Sequence, residues 1–275
     1  MKDKAKNTNL NILIVGASGV GKSSTINALF DDEQINKIDL PDIGISVEPT
    51  TQKITSYKIN EMVLWDTPGL GDTKEQDIEY KRMLTEILQQ TKNNVAIIDF
   101  VIVILDGNTK DIGTSIDLIN SVIIPNLGNE AEKRILVAIN KIDTIKNSRY
   151  WDRKLNKPEE HLESYLKTLV ENISLRIHES TKLNINPIIY SVGNSDINQK
   201  PYNLLQIINS ILMNLPNKKR AIVIKSVNKD EKNWTDNINT KDQRKVIKDI
   251  LKEILRTGLL AGLSSFFGGL IFFDY

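Results

Sequence analysis

Short apolar runs alternate with stretches of helical spacing along most of the chain. Residues 11–15 (Asn-Ile-Leu-Ile-Val) and 100–105 (Phe-Val-Ile-Val-Ile-Leu) are short, apolar and rich in β-branched side chains. They read as strands covered on both faces. Residues 135–139 and 187–190 read the same way. Residues 52–59 alternate polar and apolar positions, the mark of a half-exposed strand, and residues 62–65 supply a hairpin partner. Helical spacing covers residues 22–30, 75–90, 112–124, 158–180 and 202–215. The third of these helices is expected to stop at Pro125, the fourth to carry Pro158 near its first turn, and the fifth to end at Pro216. Strands alternating with helices predict βαβ units. The fold class is therefore α/β, in three layers: a mostly parallel six-stranded sheet with helices on both faces. No internal repeat is present.

The pattern changes after Pro216. Residues 10–220 are expected to form one domain behind a flexible N-terminus at 1–9. A polar linker is expected at 221–241, then an amphipathic helix and apolar tail at 242–275. In that tail Val246, Ile247, Ile250, Leu251, Ile254 and Leu255 recur at helical spacing. Residues 241–256 carry six basic and three acidic side chains, and residues 258–273 are 16 residues without a charge. A membrane-spanning helix needs about 20 apolar residues, so this run is short for one.

Composition narrows the chemistry. Of the 275 residues, 40% are hydrophobic and 26% charged, which excludes collagen-like and wholly disordered classes. Lys and Arg total 36 against 35 Asp and Glu, a net charge of +1, so nothing points to a nucleic-acid partner. There is no cysteine, which excludes disulfides, thiolate metal sites and a cysteine nucleophile. Only His161 and His178 are present, too few for a histidine-rich metal site. The first apolar run passes directly into a glycine turn, so no secretory leader is expected and the location expected is the cytoplasm.

The candidate chemistry begins at that turn. Gly16-Ala17-Ser18-Gly19-Val20-Gly21-Lys22-Ser23 fits G-x-x-x-x-G-K-[ST] between a predicted strand and a predicted helix, with Ser24 following. Glycines let successive backbone N–H groups curl around phosphate oxygens, and the helix N-terminus adds partial positive charge. Lys22 reaches the β- and γ-phosphates as a point charge, and the Ser23 hydroxyl takes one position on Mg²⁺. The fold expected is therefore that of a P-loop NTPase. Trp65-Asp66-Thr67-Pro68-Gly69 ends the strand 62–65. An Asp there can bind Mg²⁺, usually through water, and Gly69 lets its own N–H approach the γ-phosphate. Between the two motifs lies Glu48-Pro49-Thr50-Thr51-Gln52, where a threonine can complete the Mg²⁺ shell. Residues 31–50 have little periodicity, as suits a loop ordered by nucleotide.

Asn140-Lys141-Ile142-Asp143 follows the strand 135–139. The Asp143 carboxylate can accept from guanine N1–H and N2–H, a pair of donors adenine lacks. The Lys141 stem can lie over the base, and Asn140 can tie this loop to the phosphate loop. Ser191 and Val192 follow the last strand, where backbone N–H groups can meet guanine O6.

Those five stretches, in that order on alternating strands and helices, resemble the Era/TrmE/septin-like class of translation-factor-related GTPases. Within it the chain is most similar to the bacterial YfjP/YeeP-type GTPases. This further resemblance lies in residues 41–51, in Asp77-Ile-Glu-Tyr80, in Tyr150-Trp151-Asp152, and in Leu215-Pro216 with the basic residues after it. It implies GTP and GDP binding, Mg²⁺ dependence and slow GTP hydrolysis, a nucleotide-gated switch. It places Thr51 as the switch threonine, so the implied catalytic set is Lys22, Thr51 and Gly69, with Ser23, Thr51 and Asp66 around the metal. Two positions depart from the class. Gly19 stands where many members carry a potassium-binding Asn. Leu70 stands where Ras-type switches carry a water-orienting Gln, so low intrinsic turnover is implied. The tail keeps two partner readings open. Residues 242–275 lie in a membrane interface, giving a peripheral membrane location, or they pack on the domain, a protein partner or a second copy. The first matches a septin-, AIG1- or dynamin-like GTPase that dimerises or assembles on membranes.

Overall fold

The computed structural model describes residues 9–30, 35–38, 54–69, 74–109 and 112–228. Seven strands form one sheet: β1 (Leu10–Gly16), β2 (Asn36–Ile38), β3 (Thr55–Ile59), β4 (Met62–Asp66), β5 (Phe100–Asp106), β6 (Ile135–Asn140) and β7 (Ile188–Ile189). Their spatial order is β7-β6-β5-β1-β4-β3-β2. All neighbours from β7 to β4 pair in parallel, and β3 runs antiparallel between β4 and β2. The sheet thus has one strand more than the six expected. The extra strand is an edge of three residues whose Asn36 and Lys37 are exposed, so no hydrophobic pattern announces it.

The alternation of side chains along the central strands divides the core in two. Leu13, Val15, Trp65, Val101, Val103, Val137 and Ile139 face one side. They pack there against α2 (Lys74–Gln89), α3 (residues 113–127) and α4 (Glu160–Thr181). Ile12, Ile14, Leu64, Phe100, Ile102, Ile104 and Leu136 face the other. That layer contains α1 (Lys22–Leu29), α5 (Leu204–Asn214) and α6 (Asn217–Ser226). Every residue of β1 is buried, which is why its sequence is apolar on consecutive positions.

Three further expectations from the sequence are corrected. The helix after β5 does not stop at Pro125. It runs from Gly113 to Leu127 through a π-helical turn at Ile119–Ile123 immediately before the proline. Widening the turn there accommodates a residue with no N–H to donate. The helix expected to open at Pro158 opens two residues later. Lys157–Pro158 pairs with Trp151–Asp152 as a small antiparallel hairpin, and α4 begins at Glu160.

The third correction concerns the linker, expected to begin at 221. Residues 217–226 are helical, and Ile222, Val223 and Val227 are buried in the second core layer. The Lys219 ammonium pairs with the Asp99 carboxylate, which also accepts from the Asn11 amide at 2.9 Å. Ser226 Oγ donates to Ile222 O at 2.9 Å, Val227 bridges Phe30, and Asn228 donates to Leu29 O and Asn27 O. Three buried apolar residues among basic ones are too few to register as a periodic helix. The expectations for residues 1–8, for Thr50 and Thr51 and for the tail at 242–275 lie outside the described residues. Among the described residues, no helix is long and apolar enough to cross a membrane.

Candidate functional site

Parallel pairing brings the carboxyl ends of β1, β4, β5 and β6 to one edge. Ile14 lies opposite Asp66, Gly16 opposite Ile104, and Asp106 opposite Asn140. The loops leaving those ends converge, as they do in open α/β sheets where ligands bind at a switch in strand order.

The phosphate loop leaves β1 at Gly16 and enters α1 at Lys22. Gly21 takes φ 95°, in the left-handed region, and a Cβ there would stand 2.5 Å from Asn140 Nδ2. Glycine is therefore required on two counts. Lys22 is buried and its ammonium donates to Gly16 O at 3.1 Å and Ala17 O at 3.0 Å. Burial lowers its pKa, and the carboxylate of Asp66 opposes the shift. Ser23 Oγ donates to Asp66 Oδ2 at 2.9 Å. Burial raises the Asp66 pKa, against the Ser23 hydrogen bond and the Lys22 charge. Its other oxygen, Oδ1, is buried without a hydrogen-bond partner among the described residues. A desolvated cation held only by carbonyls and a desolvated, unpaired carboxylate oxygen are each costly unless further groups arrive. Phosphate oxygens and a hard cation are the groups that fit. Ser23 and Asp66 are oxygen donors already in contact, as Mg²⁺ requires. Among the described residues no cluster of three His, Asp or Glu offers a competing metal site.

Gly69 lies against this loop. A Cβ on it would fall on the backbone of Ser18. Two residues earlier, Thr67 Oγ1 donates to Ile14 O at 2.9 Å and lies 2.8 Å from the hydroxyl of Tyr80 on α2.

The residues that the sequence assigns to a base come together as well. Asn140 is fully buried, and its Nδ2 donates to Val20 O at 2.9 Å, tying β6 to the phosphate loop. Lys141 has φ 62°, and its ammonium donates to Asp106 Oδ2 at 2.7 Å. Asp143 is buried and lines a cavity of about 260 Å³ with Gly19, Gly21, Ser24, Asn140, Lys141, Ser191 and Val192. Ser191 is placed differently from what the sequence suggests: its N–H is taken by Tyr202 O at 3.0 Å. Val192 N–H has no partner among the described residues and is the one left to meet a ligand.

Sequence reasoning missed the support of Lys141. Asp106 Oδ1 accepts from the Asn108 amide, and Asn108 Nδ2 donates to Thr144 Oγ1 at 2.6 Å. The Asp-Gly-Asn at the end of β5 is the signal that was available. It also missed Arg153 and Gln199 in the cavity wall, which arrive from segments with no motif of their own.

Fold and phosphate loop together are those of a P-loop nucleotide-binding domain. Residues 11–141 match the family model of the 50S ribosome-binding GTPases. Among curated proteins, the GTPase Der of Mesoplasma florum is 26% identical over 187 residues, covering 65% of this chain and 38% of its own. The tRNA modification GTPase MnmE of Desulforamulus reducens is 31% identical over 138 residues, covering 50% of this chain and 26% of its own. The chain thus spans well under half the length of these relatives. Among solved structures, Toc33 from Arabidopsis thaliana in complex with GDP and Mg²⁺ is 16% identical and covers 80% of this chain and 88% of its own, with a TM-score of 0.46.

Proposed function

We propose that this chain is a Mg²⁺-dependent GTP-binding protein that hydrolyses GTP slowly and works as a nucleotide-gated switch. One observation carries the reading. The phosphate loop and the Asn140–Asp143 loop are hydrogen-bonded to each other, through Asn140 and Val20, around a single cavity that Asp143 lines. A base held by Asp143 therefore projects its phosphates onto the loop that ends in Lys22.

Each residue has a task in this reading. Asp143 accepts from guanine N1–H and N2–H, and leaving that buried carboxylate unpaired rejects adenine by roughly 10⁴-fold. Lys22 exchanges the carbonyls of Gly16 and Ala17 for β- and γ-phosphate oxygens. Ser23 and Asp66 hold Mg²⁺, with Thr51 as a further ligand supplied by the resemblance. When bound, the ion neutralises charge on the β- and γ-phosphates. Gly69 presents its N–H to the γ-phosphate. Leu70 cannot orient water, so turnover stays low until another group supplies that function. Kinship with the YfjP/YeeP-type GTPases and a cytoplasmic location belong to the same proposal.

The test is nucleotide preference. The wild type is expected to bind GDP and GTP with Mg²⁺ and to discriminate against adenine nucleotides, with Lys22→Ala as the blank for hydrolysis. Asp143→Asn is expected to shift preference from guanine to xanthine nucleotides. Retention of full guanine preference by that variant would overturn the assignment of the site.

A further inference from the structure

Tyr80 is buried, 1% exposed, yet carries a hydroxyl, and its position on α2 lies outside every nucleotide motif. Thr67 Oγ1 lies 2.8 Å from that hydroxyl. The single proton of Thr67 Oγ1 is directed to Ile14 O at 2.9 Å. Tyr80 must therefore donate to Thr67. The result is one directed chain of hydrogen bonds: Tyr80 to Thr67, Thr67 to Ile14.

We propose that Tyr80 is a positioning residue for hydrolysis, its hydroxyl locking the Asp66–Gly69 segment against the end of β1. This rests on the reading of the site as a GTPase. The chain joins three elements: β1, the end of β4 with the turn that follows it, and α2. Thr67 stands between Asp66, the Mg²⁺ ligand, and Gly69, which lies on Ser18. A shift of Thr67 therefore moves both groups that face the γ-phosphate. The base loop and Lys22 take no part in the chain, so nucleotide binding as such does not depend on it. Desolvation raises the Tyr80 pKa to about 12, which keeps the hydroxyl a donor throughout the working range.

The test compares Tyr80→Phe with the wild type in three measurements: affinity for GDP, affinity for a non-hydrolysable GTP analogue, and single-turnover hydrolysis. GDP affinity is expected within twofold of wild type, while the single-turnover rate falls by about tenfold, the scale of one lost transition-state contact. The preference for the GTP analogue over GDP falls with it. A merely structural role would weaken both nucleotides in parallel and leave their ratio unchanged, and that result overturns the proposal, as does an unchanged rate. Should Tyr80→Phe fold poorly, Thr67→Val breaks the same chain at its other end, and Thr67→Ser, which keeps the hydroxyl, is expected to restore the rate. Equal rates for Thr67→Val and Thr67→Ser also overturn it. Failure of the wild type to bind guanine nucleotide would instead refute the reading of the site.

Discussion

Asn140→Ala removes one hydrogen bond between two loops that, in the proposed reading, meet the same ligand from opposite ends. Asn140 is fully buried, and its 2.9 Å bond to Val20 O spans 120 residues of sequence. Truncation leaves the Val20 carbonyl without that donor in a buried setting, which costs about 1–3 kcal/mol. If the cost falls on the conformation that receives nucleotide, GDP affinity drops by roughly 5- to 150-fold, at 1.4 kcal/mol per tenfold. The part that falls on the empty domain appears as a lower unfolding midpoint. Fluorescence titration with a labelled GDP and denaturant unfolding without nucleotide measure the two parts separately. Asn140→Asp is the sharper variant. It keeps the shape of the side chain but sets an acceptor against an acceptor, so it is expected to bind GDP no better than Asn140→Ala. A variant of either kind with GDP affinity within twofold of wild type and an unchanged midpoint would refute the tether.

Two further outcomes follow from charges in the fold. The folded-state pKa of Asp66 is raised by burial, so its ionised form costs stability above the ordinary carboxylate range, and the cost is relieved as pH falls through the raised value. Asp66→Asn is therefore expected to raise the unfolding midpoint of the nucleotide-free protein at pH 7, with the gain gone by about pH 3, below the ordinary Asp value. With Mg²⁺ and GDP present the order reverses, and thermal melts at several pH values read both effects. Lys219→Ala removes the partner of a largely buried Asp99 and is expected to lower stability by about 1–3 kcal/mol in denaturant unfolding, without changing GDP affinity at saturating Mg²⁺.

The sequence announced the site more fully than the frame around it. Gly16–Ser23 and Asn140–Asp143 are legible because each function is carried by a short contiguous stretch, and the backbone geometry it needs dictates the residues. Gly21 shows this well: its left-handed φ and its closeness to Asn140 both require a residue without a side chain. The Asp106–Lys141 pair was not legible in the same way, because strand pairing, not sequence proximity, makes those residues neighbours. Helix α6 was missed for a different reason. Its apolar positions are few, and the basic run at Lys218–Arg220 reads as solvated linker until Asp99 is seen opposite Lys219. Pro125 misled because a widened helical turn accommodates what an α-helix does not.

Helix α1 has its amino end at the phosphate loop and its carboxyl end against Val227 and Asn228, the last described residues. Asn228 is bonded to Asn27 and Leu29, and Val227 to Phe30. Eight residues separate the two ends, a rod of about 12 Å. Residues 227–228 and Lys22 therefore sit at opposite ends of one short rigid element.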